Sequence, residues 1–346
     1  MSATAPASAL AEEAGRKRSA ARSVAGGRLV TSQAADVRWL LCGRGRPVDA
    51  SAPSPYTIVL ERDGAALVLY PDIEHPRVEA EERFEELGYE LVPYPWHEGH
   101  GLEETPSALD TLRLELDDSE RARYRLAGAE VADVMRLILG RLRPELTELD
   151  AAAELTLEGQ RRGFTTPVVL VAGDERQRVH RHPLPTHDRL GRHALLAITA
   201  EREGLHVSMT RLVSFGPPPT ELATLVQATA EVDAAYFAAS APGATLGDAF
   251  AAGAAAYAAQ GFPEEWRLHH QGGLTGYRGR EVFAVPGEPA RIPASAALAW
   301  NPSVTGGAKS EDTILVSDEG VEIVTRTPDL GELQTAGEPR PAIVEV

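Results

Sequence analysis

At 346 residues the chain is longer than one average domain, which points to two domains or one large one. Asp and Glu outnumber Lys and Arg 51 to 34, a formal charge of −17, so the chain lacks the basic face that displaces counterions from nucleic acid. A single cysteine, Cys42, excludes an internal disulfide and a thiolate zinc cluster, and fits a reducing compartment.

The first eight or so residues read as disordered, and 10–23 as a polar helix with no apolar run of the secretory kind. Residues 28–32, 37–42, 56–60 and 66–70 read as strands. Charge pairing over 77–87 predicts a helix, with a strand at 89–93 after it. This is an α/β pattern, and the boundary falls near residue 115, giving domains 1–115 and 116–346. Asp117, Asp118 and Ser119 form an N-cap run before a helix over 120–142, where Leu126, Val131, Val134, Met135, Ile138 and Leu139 recur at helical spacing. Thr147 and Asp150 cap the next helix, which Gly163 ends. Strands follow at 167–172, 194–199 and 205–215. Thr220 caps a helix to about 238, Thr245 caps another that ends at Gly261, and strands and turns run on to 325. No apolar stretch approaches the ~20 residues of a membrane helix, so the expectation is a cytoplasmic protein with no membrane and no nucleic-acid partner.

Four segments in the second part share a pattern. They are Thr166-Pro-Val-Val-Leu-Val-Ala-Gly173 with Val179-His-Arg-His-Pro-Leu-Pro-Thr186; Leu195-Leu-Ala-Ile-Thr199 leading to Met209-Thr-Arg211; His269-His-Gln-Gly-Gly-Leu-Thr-Gly-Tyr-Arg-Gly-Arg-Glu281; and Trp300-Asn-Pro-Ser303 with Glu311-Asp-Thr-Ile-Leu-Val316. In order and spacing they resemble the creatinase/prolidase/methionine-aminopeptidase family. That resemblance implies an α/β N-terminal domain followed by an α+β pita-bread domain, commonly a homodimer.

The resemblance also implies where ligands for two divalent ions would stand, and here the sequence departs. The two aspartates fall on Thr199 and Ser208, the metal histidine on Gly273 and the first glutamate on Asn301. Only Glu311 survives. Hard dications need anionic oxygens or imidazole to offset lost hydration, so the expectation is no metal and no cofactor. His182 falls on the histidine that handles substrate or, in metal-free creatinase, the proton. Arg280-Glu281 replaces the family's His-Glu pair.

These positions imply a metal-independent hydrolase of a C–N bond in a small polar, carboxylate-bearing substrate. His182 is then the general acid/base, Glu311 and Glu281 the supporting carboxylates, and Arg280 the clamp on the substrate anion. His269 and His270 divide between one lining the pocket and one packed in the fold. Tyr277 is a core aromatic or a pocket wall; Asn301 hydrogen-bonds substrate or neighbouring backbone, and Thr199 and Ser208 stand as substrate-binding positions. Arg44 and Arg46 lie in a loop that creatinase-like dimers send into the partner's site. His180 and His187 read as solvated loop residues, and His97-Glu-Gly-His-Gly101 as a loop that only imitates the metal motif. The competing reading is a pseudoenzyme that binds a peptide or small molecule in the same cleft. A metal-dependent Xaa-Pro peptidase and a lyase stand behind it.

Overall fold

The computed structural model describes residues 7–49, 52–106 and 109–346. The residues before position 7, which include most of the segment expected to be disordered, lie outside the described residues. Two compact units emerge: a first that runs to Glu115 and takes in Glu203–Leu205, and a second made of Leu116–Arg202 and His206–Val346.

The first unit opens with α1 (Ala7–Ala25), then β1 (Leu29–Thr31), α2 (Ala34–Leu40), β2 (Thr57–Leu60), β3 (Ala66–Pro71), the single turn α3 (His75–Arg77) and β4 (Glu90–Tyr94). Its sheet has the order β1-β2-β3-β4, antiparallel except for the parallel β3–β4 pair. Two sequence expectations fail here. Residues 37–42 are not a strand; most of them belong to α2, where Val37, Trp39 and Leu40 are all buried. A short apolar run carries no periodicity that separates a buried helix from a strand. Residues 77–87 are not one helix. Pro76 lies in α3, a π-turn covers Val78–Glu82, and Arg83 adopts a left-handed conformation before a 3-10 turn at Phe84–Leu87.

The second unit begins with α4 (Asp118–Leu139) and α5 (Glu148–Arg161). Both start with capping boxes, Asp117 with Glu120 and Thr147 with Asp150, which satisfy backbone N–H groups that a helix start leaves bare. Next come β5 (Thr165–Gly173), α6 (Asp174–Val179), β6 (His193–Arg202) and β7 (Leu205–Ser214). α7 (Thr220–Ala239) begins one residue earlier than expected, with Pro219 rather than Thr220 at the N-cap. α8 (Leu246–Ala259) has a capping box of Thr245 and Asp248. The strands β8 (Gly272–Thr275), β9 (Val282–Phe283), β10 (Ala296–Trp300), β11 (Ser303–Val304), β12 (Ala308–Lys309), β13 (Asp312–Ser317), β14 (Gly320–Ile323), β15 (Glu332–Leu333), β16 (Arg340–Pro341) and β17 (Val344–Glu345) complete it.

Two sheets organise this unit: β17-β7-β6-β5, and the antiparallel β14-β13-β10-β8-β9. They are tied by a bridge between Thr210 and Glu311, where the Thr210 N–H donates to the Glu311 carbonyl at 3.0 Å. That junction sets Glu311 beside the cleft described next. Among the described residues no helix is long and apolar enough to cross a membrane.

Candidate active site

A cleft of about 560 Å³ opens in the second unit. Strands β5 and β6 supply Pro167, Val168, Val169, Leu170, Ala197, Ile198 and Thr199. The loop after α6 supplies His182 and Leu184, and Phe283 comes from β9. Its remaining polar lining is His206, His270, Arg280, Asn301, Lys309 and Glu311.

The charges are arranged around Glu311. One carboxylate oxygen accepts the Thr210 hydroxyl at 2.8 Å, and the other lies 3.4 Å from the Arg280 guanidinium. Arg280 also donates to the Gly279 carbonyl at 2.6 Å, and both its side chain and that of Glu311 are about nine-tenths buried. Lys309 is buried, and among the described residues its ammonium makes only a long 3.5 Å bond to the Asn301 carbonyl. Burial lowers its pKa below the usual lysine range, against the pull of Glu311. Arg280 and Glu311 therefore cancel, and Lys309 is left with no counter-ion of its own among the described residues. Of the buried polar side-chain atoms that line the cleft, Asn301 Oδ1 and Arg280 Nε have no hydrogen-bond partner among the described residues.

Three histidines meet beside these charges. His182 and His270 stack with ring centroids 5.6 Å apart, and His269 lies 5.8 Å from His182. His269 donates from Nε2 to the Asn301 carbonyl at 2.9 Å and accepts at Nδ1 from Gln271 at 3.1 Å. That pair of bonds requires the neutral ring, and burial pushes its pKa down to about 2. His270 is lowered to about 4, chiefly by desolvation and then by Arg280. His182 is lowered by desolvation and by Lys309, with Glu311 opposing. It makes no hydrogen bond or ion pair among the described residues, so its imidazole is neutral near pH 7 and free to accept a proton.

The sequence description of metallopeptidase family M24 matches residues 122–318, over half of the chain. The chain belongs to this family. No curated protein sequence matches it. Dipeptidase PepE from Mycobacterium ulcerans is 20% identical, with a TM-score of 0.74 over 97% of this chain and 99% of that one. Xaa-Pro dipeptidase from Bacillus anthracis is 18% identical, with a TM-score of 0.73 over 92% and 98%. The N-terminal domain of FACT complex subunit SPT16 from chickpea, 11% identical, has a TM-score of 0.64 over 93% and 97%. These likenesses establish the two-domain pita-bread fold.

The residues of this M24 chain do not fit the family's two-metal centre. Thr199 and Ser208 hydrogen-bond each other through their hydroxyls at 2.9 Å. Gly273 offers no donor, and a Cβ there would meet the Val282 carbonyl oxygen at 2.2 Å. Asn301 is neutral, and Glu311 is engaged by Arg280 and Thr210. No group of three or more His, Cys, Asp or Glu able to hold a metal occurs among the described residues. Where dications would need anionic oxygens, this chain places a guanidinium and an ammonium.

The structure brings His182, His270, Arg280, Asn301, Thr199 and Glu311 together in the cleft. It does not bring the others there. His269 is packed behind it. Ser208 is buried against Thr199 and Thr313. The Glu281 carboxylate is buried and accepts the Arg278 N–H at 3.2 Å. Tyr277 donates to Glu120 at 2.8 Å in the core beside α4. Arg44 lies in the first unit, bonding the carbonyls of Glu82 and Arg83 and pairing with Glu86, and Arg46 is exposed there. His97-Glu-Gly-His-Gly101 is an exposed turn and loop. Sequence reading missed Lys309, which ends β12 two residues before Glu311. It also missed the apolar wall of Val168, Leu184 and Phe283.

Proposed function

We propose that this M24 chain is a metal-independent hydrolase that cleaves a C–N bond in a carboxylate-bearing molecule. The observation that carries this reading is the cation pair Arg280 and Lys309 in the cleft beside neutral His182. A substrate carboxylate supplies the counter-ion that Lys309 lacks and holds its ammonium protonated, while Arg280 binds the same anion through its guanidinium. Glu311 acts as a positioning residue for Arg280. His182 takes a proton from water as the water oxygen bonds to the carbon of the C–N bond. That bond then breaks, and the proton passes from His182 to the leaving nitrogen, so an amine is released and the attacked carbon keeps the water oxygen, as an acid from an N-acyl substrate, a carbamic acid from an N-carbamoyl one or a urea from an N-amidino one.

A second reading is favoured by one observation: among the described residues no carboxylate hydrogen-bonds or ion-pairs with His182 to orient it, and Glu311 acts on it only at a distance. On that reading the cleft binds an anion without turning it over. Metal content and turnover decide between the readings. Protein dialysed against manganese, cobalt and zinc is expected to carry substoichiometric metal by mass spectrometry. A panel of N-acyl, N-carbamoyl and N-amidino amino acids is then assayed with EDTA present. Hydrolysis lost in His182→Ala supports the enzyme; hydrolysis unchanged in that variant sinks it. Carboxylate binding that depends on Arg280, without turnover of any panel member, selects the second reading.

A further inference from the structure

The cleft is built of two unlike parts. Its charged part is Arg280, Lys309 and Glu311. The rest of the lining is mainly aliphatic and aromatic, and three of those side chains are exposed: Val168 by 40%, Leu184 by 71% and Phe283 by 47%. Large apolar side chains left bare around a concave site mark a surface that a ligand covers. The volume of about 560 Å³ lies in the range of clefts that enclose drug-sized ligands, well beyond the needs of a bare amino acid.

Two unsatisfied atoms add direction. Asn301 is 4% exposed, and its Oδ1 has no donor; the Arg280 Nε–H has no acceptor. A buried acceptor without a donor is costly, and native structures rarely keep one that nothing ever fills. A ligand that satisfies both atoms carries an N–H and an anionic or carbonyl oxygen. A secondary amide next to a carboxylate has that pattern.

We infer that the ligand of this cleft is an N-acylated amino acid with an apolar acyl chain. Its carboxylate meets Arg280 and Lys309, its amide N–H donates to Asn301 Oδ1, and its acyl chain covers Val168, Ile198, Leu184 and Phe283. The inference rests on the reading of the cleft as a carboxylate site and adds the amide and the chain to it. It does not depend on whether the amide is cleaved.

The test is isothermal titration calorimetry with N-acetyl-, N-butanoyl-, N-hexanoyl- and N-octanoylglycine, and with N-octanoylsarcosine, whose amide lacks the N–H. Wild type and His182→Ala are both titrated, the latter to keep the ligands intact. Affinity is expected to rise by roughly fourfold for each methylene that is buried. N-octanoylsarcosine is expected to bind at least tenfold more weakly than N-octanoylglycine, a difference that Asn301→Ala removes. Leu184→Ser, at an exposed position, is expected to shrink the ratio of octanoyl to acetyl affinity. Equal affinity across chain lengths, or equal affinity of the glycine and sarcosine compounds for wild type, overturns the inference. If that binding still falls in Arg280→Met, the carboxylate reading survives alone. If no N-acylglycine binds, or Arg280→Met binds as well as wild type, both fall.

Discussion

Glu311 and Asp312 are neighbours in the chain, yet they serve two buried charge clusters built on different terms. Asp312 lies among Arg211, Arg340 and Asp233. Arg340 bonds Asp312 at 2.6 Å and Asp233 at 2.7 Å, and Arg211 bonds Asp312 at 2.9 Å, Thr327 at 2.8 Å and the Thr325 carbonyl at 2.8 Å. Two guanidinium groups face two carboxylates, and of this cluster's polar atoms only Asp233 Oδ1 lacks a partner among the described residues. Glu311 stands with two cations, Arg280 and Lys309, beside the unfilled Asn301 Oδ1 and Arg280 Nε. Alternation along a strand sends the two acids to opposite faces. A buried cluster that balances its charge holds a fold together. One left short of an anion beside an open cleft is a place for a ligand.

The largest expected effect comes from breaking the balanced cluster. Asp312→Ala leaves Arg211 and Arg340 buried with one carboxylate between them and is expected to cost about 3–5 kcal/mol, read from urea unfolding midpoints. A loss as small as that of Arg280→Met would erase the distinction between the clusters. Gly273→Ala comes next. Its φ of +141° and the 2.2 Å approach of a Cβ to the Val282 carbonyl oxygen set backbone against backbone. The expected loss is at least about 2 kcal/mol, by the same unfolding measurement, and manganese or zinc added to Gly273→His should not recover it. Arg280→Met removes a cation from the under-filled cluster. Stability is expected to fall by no more than about 1 kcal/mol, because the cleft admits water, while affinity for carboxylate ligands falls at least tenfold in calorimetry.

The two clusters also mark how far the sequence could be read. Capping at Asp117, Thr147 and Thr245 was legible because it depends on residues three apart. The short buried run at 37–42 was not, because its helix is set by packing on all sides rather than by a period. At the site, the resemblance led to His182, Arg280, Asn301 and Glu311. It also carried Tyr277 and Glu281 along, although one bonds Glu120 in the core and the other turns to Arg278. Segments that share a strand or turn share a likeness, but side chains one residue apart face different ways. Lys309 went unread because a lone lysine in sequence looks like a solvated one; only its burial beside Arg280 and Glu311 gives it meaning.

The smallest effect separates the histidines from both clusters, and its sign follows from linkage. His269 and His270 have folded pKa values of about 2 and about 4, below the ordinary 6.5. As pH falls below 6.5 the unfolded chain takes up protons that the folded chain refuses, so this stability is present above 6.5 and drains away on acidification. His270 is exposed, and solvent screening holds its share well under the ~1.4 kcal/mol per pH unit of a fully discriminating group. Asp233, raised by burial to about 6, works in the opposite sense over part of that window. The informative quantity is thus the difference between variant and wild type. Urea midpoints at pH 7.5, 6 and 5 are expected to fall less steeply in His269→Gln than in wild type, with a weaker flattening in His270→Gln. If His269→Gln leaves the slope unchanged, the neutral ring bonded to Asn301 and Gln271 is not what that side chain contributes.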